Sequence, residues 1–206
     1  MIDTTANNKR IVKNTLFLYG RMLLMMLINL YTSRVILNVL GVVDYGIYNV
    51  VGGFVSMFSV LRSGLVSATQ RFITFELGRD DKNALQETYS SSMHIYIMVS
   101  ILIVIVAETI GIWFIENKMI IPSDRIYAAH WVYQFSLLSL IIGLICNPQN
   151  ALIIAHERMS VFAYISIYEA ISKLVIVYLL TIGDVDKLIL YSIFMCVIQL
   201  SLRLIY

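Results

Sequence analysis

The sequence predicts an all-α fold, a polytopic membrane helix bundle with six transmembrane helices. Three observations carry that prediction. Of 206 residues, 59% are hydrophobic and only 14% are charged, against about 45–50% and about 25% in soluble domains. Six apolar stretches recur along the chain, and about 20 apolar residues cross a bilayer as a helix. Both prolines, Pro122 and Pro148, fall between these stretches, where they do not interrupt a helix. No stretch alternates strictly between polar and apolar residues, as the strands of a membrane β-barrel do. The formal net charge is +2, too small to argue for nucleic acid, so the lipid bilayer is the partner that composition implies.

The whole chain, residues 1–206, reads as one N-terminal six-helix membrane unit. The first span covers about residues 14–40 and stops at Gly41, with GVVDYG as a short turn. The second covers about residues 45–69. The most polar segment follows, residues 70–92, which Gly78 is expected to break into two short interfacial helices. The third span, residues 93–115, is the most uniformly apolar, and ENKMIIPSD is the loop after it. The fourth span, residues 125–147, is closed by Pro148, with PQNALIIAHER read as a loop. The fifth covers residues 159–181, GDVDK is a turn, and the sixth covers residues 188–206.

Lys9, Arg10 and Lys13 precede the first span, but the apolar stretch behind them is long, contains Arg21 and lacks a small-x-small cleavage site. It reads as a retained span, not a signal peptide. Orientation follows from basic residues. Lys9, Arg10, Lys13, Arg71, Arg79, Lys82 and Arg158 fall on one side, against Lys118, Arg125 and Lys187 on the other. The N-terminus and the long polar segment are therefore expected in the cytoplasm, with Trp113 and Trp131 near the outer interface.

Gly52, Ser56, Ser59, Ser63 and Ser67 are spaced by three or four residues along the second span, on one face of a helix within roughly 80°. Small residues let helices approach closely in lipid. The stripe is thus either a helix–helix contact or a polar wall facing a water-filled cavity.

Charges inside apolar stretches are the candidate functional groups. Arg21 and Arg62 both lie roughly 10 Å deep at 1.5 Å per residue, in the same cytoplasmic half. Either they snorkel to the interface, or they line a cavity for an anionic substrate, whose phosphate a planar guanidinium fork suits. Arg34, near the outer end of the first span, is read the same two ways. Asn14, Arg21, Asn29 and Thr32 share one face of that span within about 80°, which makes Asn29 a further cavity candidate. Glu169 and Lys173 stand at i, i+4 in the fifth span, in the order that pairs best. They are either a structural pair or a coupling pair that opens during transport. Glu108 has no partner nearby in sequence and reads as a proton site or as the mate of an arginine on another helix.

Cys146 and Cys196 sit in apolar runs and read as buried core residues, not as a disulfide framework. His94, His130 and His156 lack ligand spacing, so no metal site and no cofactor are expected. The phosphate-loop, GxSxG, HExxH and CxxC motifs are all missing, and no catalytic constellation forms, so the chain does not read as an enzyme.

Three stretches, TSRVILNVLGVVDYGIYNVVGG, SATQRFITFELG and WVYQFSLLSLIIGLICNPQNALIIAHERM, resemble the N-terminal half of bacterial polysaccharide-biosynthesis membrane proteins. These are Wzx-type flippases of the multidrug/oligosaccharidyl-lipid/polysaccharide exporter superfamily. The resemblance runs from about Lys9 to Tyr206. It implies one lobe of a two-lobed MATE-like bundle in the bacterial inner membrane. It also implies transport of undecaprenyl-pyrophosphate-linked oligosaccharide to the outer leaflet by alternating access, for surface polysaccharide. Basic cavity residues would hold the pyrophosphate or acidic sugars, and Arg21 and Arg62 are candidates by position only. The expected partners are the lipid-linked oligosaccharide, a C-terminal lobe or a second copy of the chain, and glycan polymerase or glycosyltransferase machinery. Because Tyr206 ends an apolar run, a truncated longer protein is one expectation and a paired half-size protein the other. Two rival functions stand beside the flippase: a cation-coupled multidrug exporter using Glu108 and Glu169, and a non-transporting membrane subunit of a glycan assembly complex.

Overall fold

A computed structural model describes residues 4–180 and 186–205. The described chain is all-α, its helices joined by short turns and coil, with no strand among the described residues. In order it runs α1 (Thr4–Met57), α2 (Ser59–Gly78), α3 (Lys82–Val106), a π-helical turn (Ala107–Gly111), α4 (Ile112–Lys118), α5 (Ile126–Ile145), α6 (Asn147–Ala155), α7 (Met159–Leu179) and α8 (Lys187–Ile205). Four helical segments are long and apolar enough to cross a membrane: Thr15–Met57, Lys82–Lys118, Ile126–Ala155 and Lys187–Leu204. That fits a membrane protein. α7 is not among the four, and it carries Glu169 and Lys173 at its middle.

α1 is two rods joined at Gly41, whose φ of 82° and ψ of 168° lie outside the helical region. Only glycine takes that conformation without strain. The contacts show that the chain reverses there. Arg21 reaches Ser166 and Tyr31 reaches Tyr178, so residues 4–40 run in the same direction as α7. Asp44 reaches Arg125 and Arg62 reaches Asn147, so the chain after Gly41 runs in the same direction as α5. The Tyr48 and Tyr191 rings meet edge-on at 4.8 Å, which aligns it with α8 too. Tyr168 contacts Ser201, so α7 and α8 run in opposite directions. Phe54 stacks on Phe114 at 4.7 Å, which brings the far end of the third rod beside the second. The result is six rods that alternate in direction around one apolar core, with Val51, Val132, Leu144, Val177 and Leu188 fully buried.

Five sequence expectations need correction. The expected reversal at GVVDYG is confined to one residue: Gly41 alone leaves the helix, and the next residue resumes it. The second rod does not end near residue 69 but continues through α2 to Gly78. The polar segment therefore does not form two short interfacial helices. It is shared between the ends of α2 and α3, and the left-handed residue is Asp80, with φ of 55°. Asp81 then caps α3, accepting hydrogen bonds from the Asn83 and Ala84 amides, which satisfies donors that have no partner inside the helix. PQNALIIAHER is largely helix, not loop, because α6 covers Asn147–Ala155. Pro148 fits its first turn, where an amide hydrogen is not needed. The third rod also begins earlier than residue 93, at Lys82, and runs through the π-turn to Lys118. Most of the GDVDK turn lies outside the described residues.

The π-turn is held by two features. The Tyr133 hydroxyl donates to the Ala107 carbonyl at 2.8 Å, satisfying a backbone group that the wider turn frees. Gly111 lets the same ring sit against the backbone: a Cβ there would overlap the Tyr133 hydroxyl and lie 2.8 Å from its Cζ.

Candidate functional site

The polar groups of the bundle fall into two classes, those left open on its flank and those turned into it. Arg21, Asn29 and Ser33 line an open groove of about 550 Å³ on α1, with Met22, Met25, Met26 and Leu30. Arg21 Nη1 donates to Ser166 Oγ of α7 at 3.0 Å. Ser33 Oγ donates to the Asn29 carbonyl at 2.8 Å. Thr32, expected on the same face, is instead buried at 6% exposure, so that polar face is split by the packing against α7. The side chain of Asn14 lies outside what the structure describes. Arg34 is exposed and does not join the groove.

The small-residue stripe is uncovered. Ser56, Ser63 and Ser67 are exposed and Ser59 is half-buried. No atom from elsewhere lies within 4 Å of a Cβ built at Gly52 or Gly53. Each hydroxyl donates back into its own helix: Ser56 to Gly53, Ser59 to Ser56, Ser63 to Val60 and Ser67 to Ser63. The stripe is therefore not a contact between helices of this chain.

Arg62 points the other way. Its Nε donates to Asn147 Oδ1 at 3.1 Å, at the junction of α5 and α6. Arg21 and Arg62 thus face different helices, and the structure does not bring them into one groove.

Glu108 lies in the π-turn, and its partner is not an arginine. Gln134 Nε2 donates to its Oε2 at 3.3 Å. Glu169 and Lys173 do pair, with Lys173 Nζ donating to Glu169 Oε1 at 2.7 Å. Each side chain is about three-quarters buried, so each offsets the other's cost in an apolar setting. Cys146 and Cys196 are buried and free. Among the described residues no group of His, Cys, Asp and Glu is arranged to hold a metal ion.

Sequence reasoning missed one constellation. Arg125 Nη1 donates to Asp186 Oδ2 at 2.7 Å, and Nη2 donates to Asp44 Oδ2 at 3.0 Å. Asp186 Oδ1 also caps α8 by accepting from the Leu188 amide. One guanidinium thereby ties the start of α5 to the start of α8 and to the start of the second rod, just after Gly41. The signal was present: Asp44, Arg125 and Asp186 each sit where a span was expected to begin or end on the same side.

No family model matches the chain, and neither a curated protein nor a solved structure gives a significant match.

Proposed function

We propose that the chain is one membrane-embedded lobe of a transporter, each of its six rods a span. Its cargo would be undecaprenyl-pyrophosphate-linked oligosaccharide, carried to the outer leaflet of the bacterial inner membrane by alternating access. The N-terminus faces the cytoplasm on this reading. The observation that carries it is that polar side chains on both of the first two rods are left uncovered. Ser56, Ser63 and Ser67 on the second rod are exposed, and Arg21, Asn29 and Ser33 open onto a groove on the first. Arginine and asparagine are costly against lipid and normally face water or protein. A second lobe, or a second copy of the chain, would cover these groups and close a cavity, with Arg21 offering a guanidinium to the pyrophosphate.

The test introduces single cysteines at Ser56, Ser63 and Ser67 in a Cys146→Ser, Cys196→Ser background and treats whole cells with a water-soluble maleimide. Labelling is expected at all three positions. Absence of labelling at all three, in an inserted protein, refutes the cavity. Surface polysaccharide is then measured with Arg21→Ala, which is expected to lower export without lowering insertion. Full export by the Arg21→Ala variant refutes the basic lining.

A second reading, the cation-coupled exporter, draws on Glu108. It sits in a π-turn inside a long apolar helix, and such turns often mark functional positions. Drug sensitivity on deletion, with surface glycan unchanged, favours that reading.

A further inference from the structure

The junction of α2, α5, α6 and α8 holds two buried donors without an acceptor in reach, and Gln149 Oε1 of α6 is itself buried and paired with neither. Asn147 is 2% exposed, and its Oδ1 is taken by Arg62 Nε. Its Nδ2 is buried and has no hydrogen-bond partner among the described residues. Arg203 Nη1, from the end of α8, is buried and unpartnered in the same way. The Arg203 side chain reaches the Cys146 thiol, next in sequence to Asn147, and Arg62 lies near enough to act on the same thiol electrostatically, so both guanidinium groups lie around the α5–α6 junction. Neither arginine joins an ion pair among the described residues. Two other cations of the bundle are matched by carboxylates: Lys173 by Glu169, and Arg125 by Asp44 and Asp186.

Two cations and a buried amide donor do not sit together in an apolar bundle without cost. Like charges repel more strongly where the dielectric is low, and an unmet buried donor forfeits its hydrogen bond to water. A single anion with several acceptor oxygens removes both penalties. We propose that Arg62, Arg203 and Asn147 form a binding site for a phosphate-class oxyanion. The oxyanion comes either from a phospholipid headgroup or from free inorganic phosphate, whose chemistry at the site is the same. Guanidinium groups give phosphate paired, charge-assisted hydrogen bonds, and the Asn147 amide supplies a neutral donor beside them. The site lies inside the lobe, apart from the Arg21 groove, and it does not depend on the transport reading. Its role is to tie α2 and α8 to the α5–α6 junction, at the opposite end of the bundle from the Arg125 ion pairs.

The test uses the full chain in phosphatidylcholine nanodiscs and follows the melting temperature. In one arm inorganic phosphate is titrated; in the other phosphatidylglycerol is mixed into the disc. A rise in Tm in either arm is expected, and the arm that responds identifies the source. Arg203→Gln and Arg62→Gln are each expected to weaken the responding ligand about tenfold, the worth of a lost charge-assisted hydrogen bond. If these variants do not fold, Asn147→Asp decides. Its carboxylate supplies the missing anion, so the variant should melt above the wild type without ligand and lose the ligand response. The proposal is overturned by a wild type that responds in neither arm. It is also overturned by an Arg203→Gln variant that responds as the wild type does, or by an Asn147→Asp variant that keeps the full response.

Discussion

Gly111→Ala sets a methyl group against the most constrained contact in the bundle. The new Cβ would overlap the Tyr133 hydroxyl, lie 2.8 Å from Tyr133 Cζ and 3.2 Å from Phe54 Cε1. Tyr133 is fully buried and Phe54 is stacked on Phe114 at 4.7 Å, so neither ring has open space to enter. The methyl must push Tyr133 away, and the 2.8 Å hydrogen bond to the Ala107 carbonyl breaks. Overpacking costs about 1–3 kcal/mol, and a stranded buried hydroxyl a further 1–3 kcal/mol or so. Against this, replacing glycine by alanine in a helix gains about 1 kcal/mol, less in a π-turn. The expected net loss is about 2–4 kcal/mol, read as a lower unfolding midpoint in detergent. Tyr133→Phe removes the overlapping oxygen, so a double-mutant cycle should show the pair less damaging than the sum of its parts by about 1 kcal/mol or more. A Gly111→Ala variant as stable as the parent, or strict additivity with Tyr133→Phe, refutes the account of the π-turn.

Arg125→Gln leaves the nearly buried Asp44 carboxylate without its counter-ion, at about 3 kcal/mol of stability; the more exposed Asp186 partner adds little. Asp44→Asn should recover part of that loss in the double variant, and chemical unfolding of the purified protein measures both. Lys173→Met strands Glu169 on α7 and should be more destabilising than the Glu169→Gln, Lys173→Met double variant, because the double removes both charges; a thermal melt ranks the two. Asp81→Ala removes the cap of α3 and should cost about 1 kcal/mol, with faster amide exchange confined to residues 82–85.

The polar site was only partly legible in advance. Glu169 and Lys173 could be paired from sequence because four residues along a helix fix their separation whatever the helix packs against. The buried cysteines followed from their apolar surroundings. Arg62 was flagged as costly, but not its Asn147 partner, 85 positions away. Glu108 was flagged as lone, yet Gln134 reaches it from 26 positions on. In both cases the missing information was the rotation of one helix against another. Apolar side chains on nearly every face leave that rotation undetermined, since lipid and protein interior look alike to hydropathy.

What the sequence determined by itself is therefore local. The apolar runs set helices, Gly41 set the first reversal, Pro148 marked a junction, and the charge spacing set the α7 pair. Each depends on residues within a turn or two of one another, where backbone geometry is fixed. The tertiary structure decided which faces are covered. It left the serine stripe open, turned Arg62 inward toward Asn147, and joined Arg125 to two aspartates distant in sequence. Those outcomes depend on how six rods share one core, and on the small residues, such as Gly111 beneath Tyr133, that set how closely the rods approach.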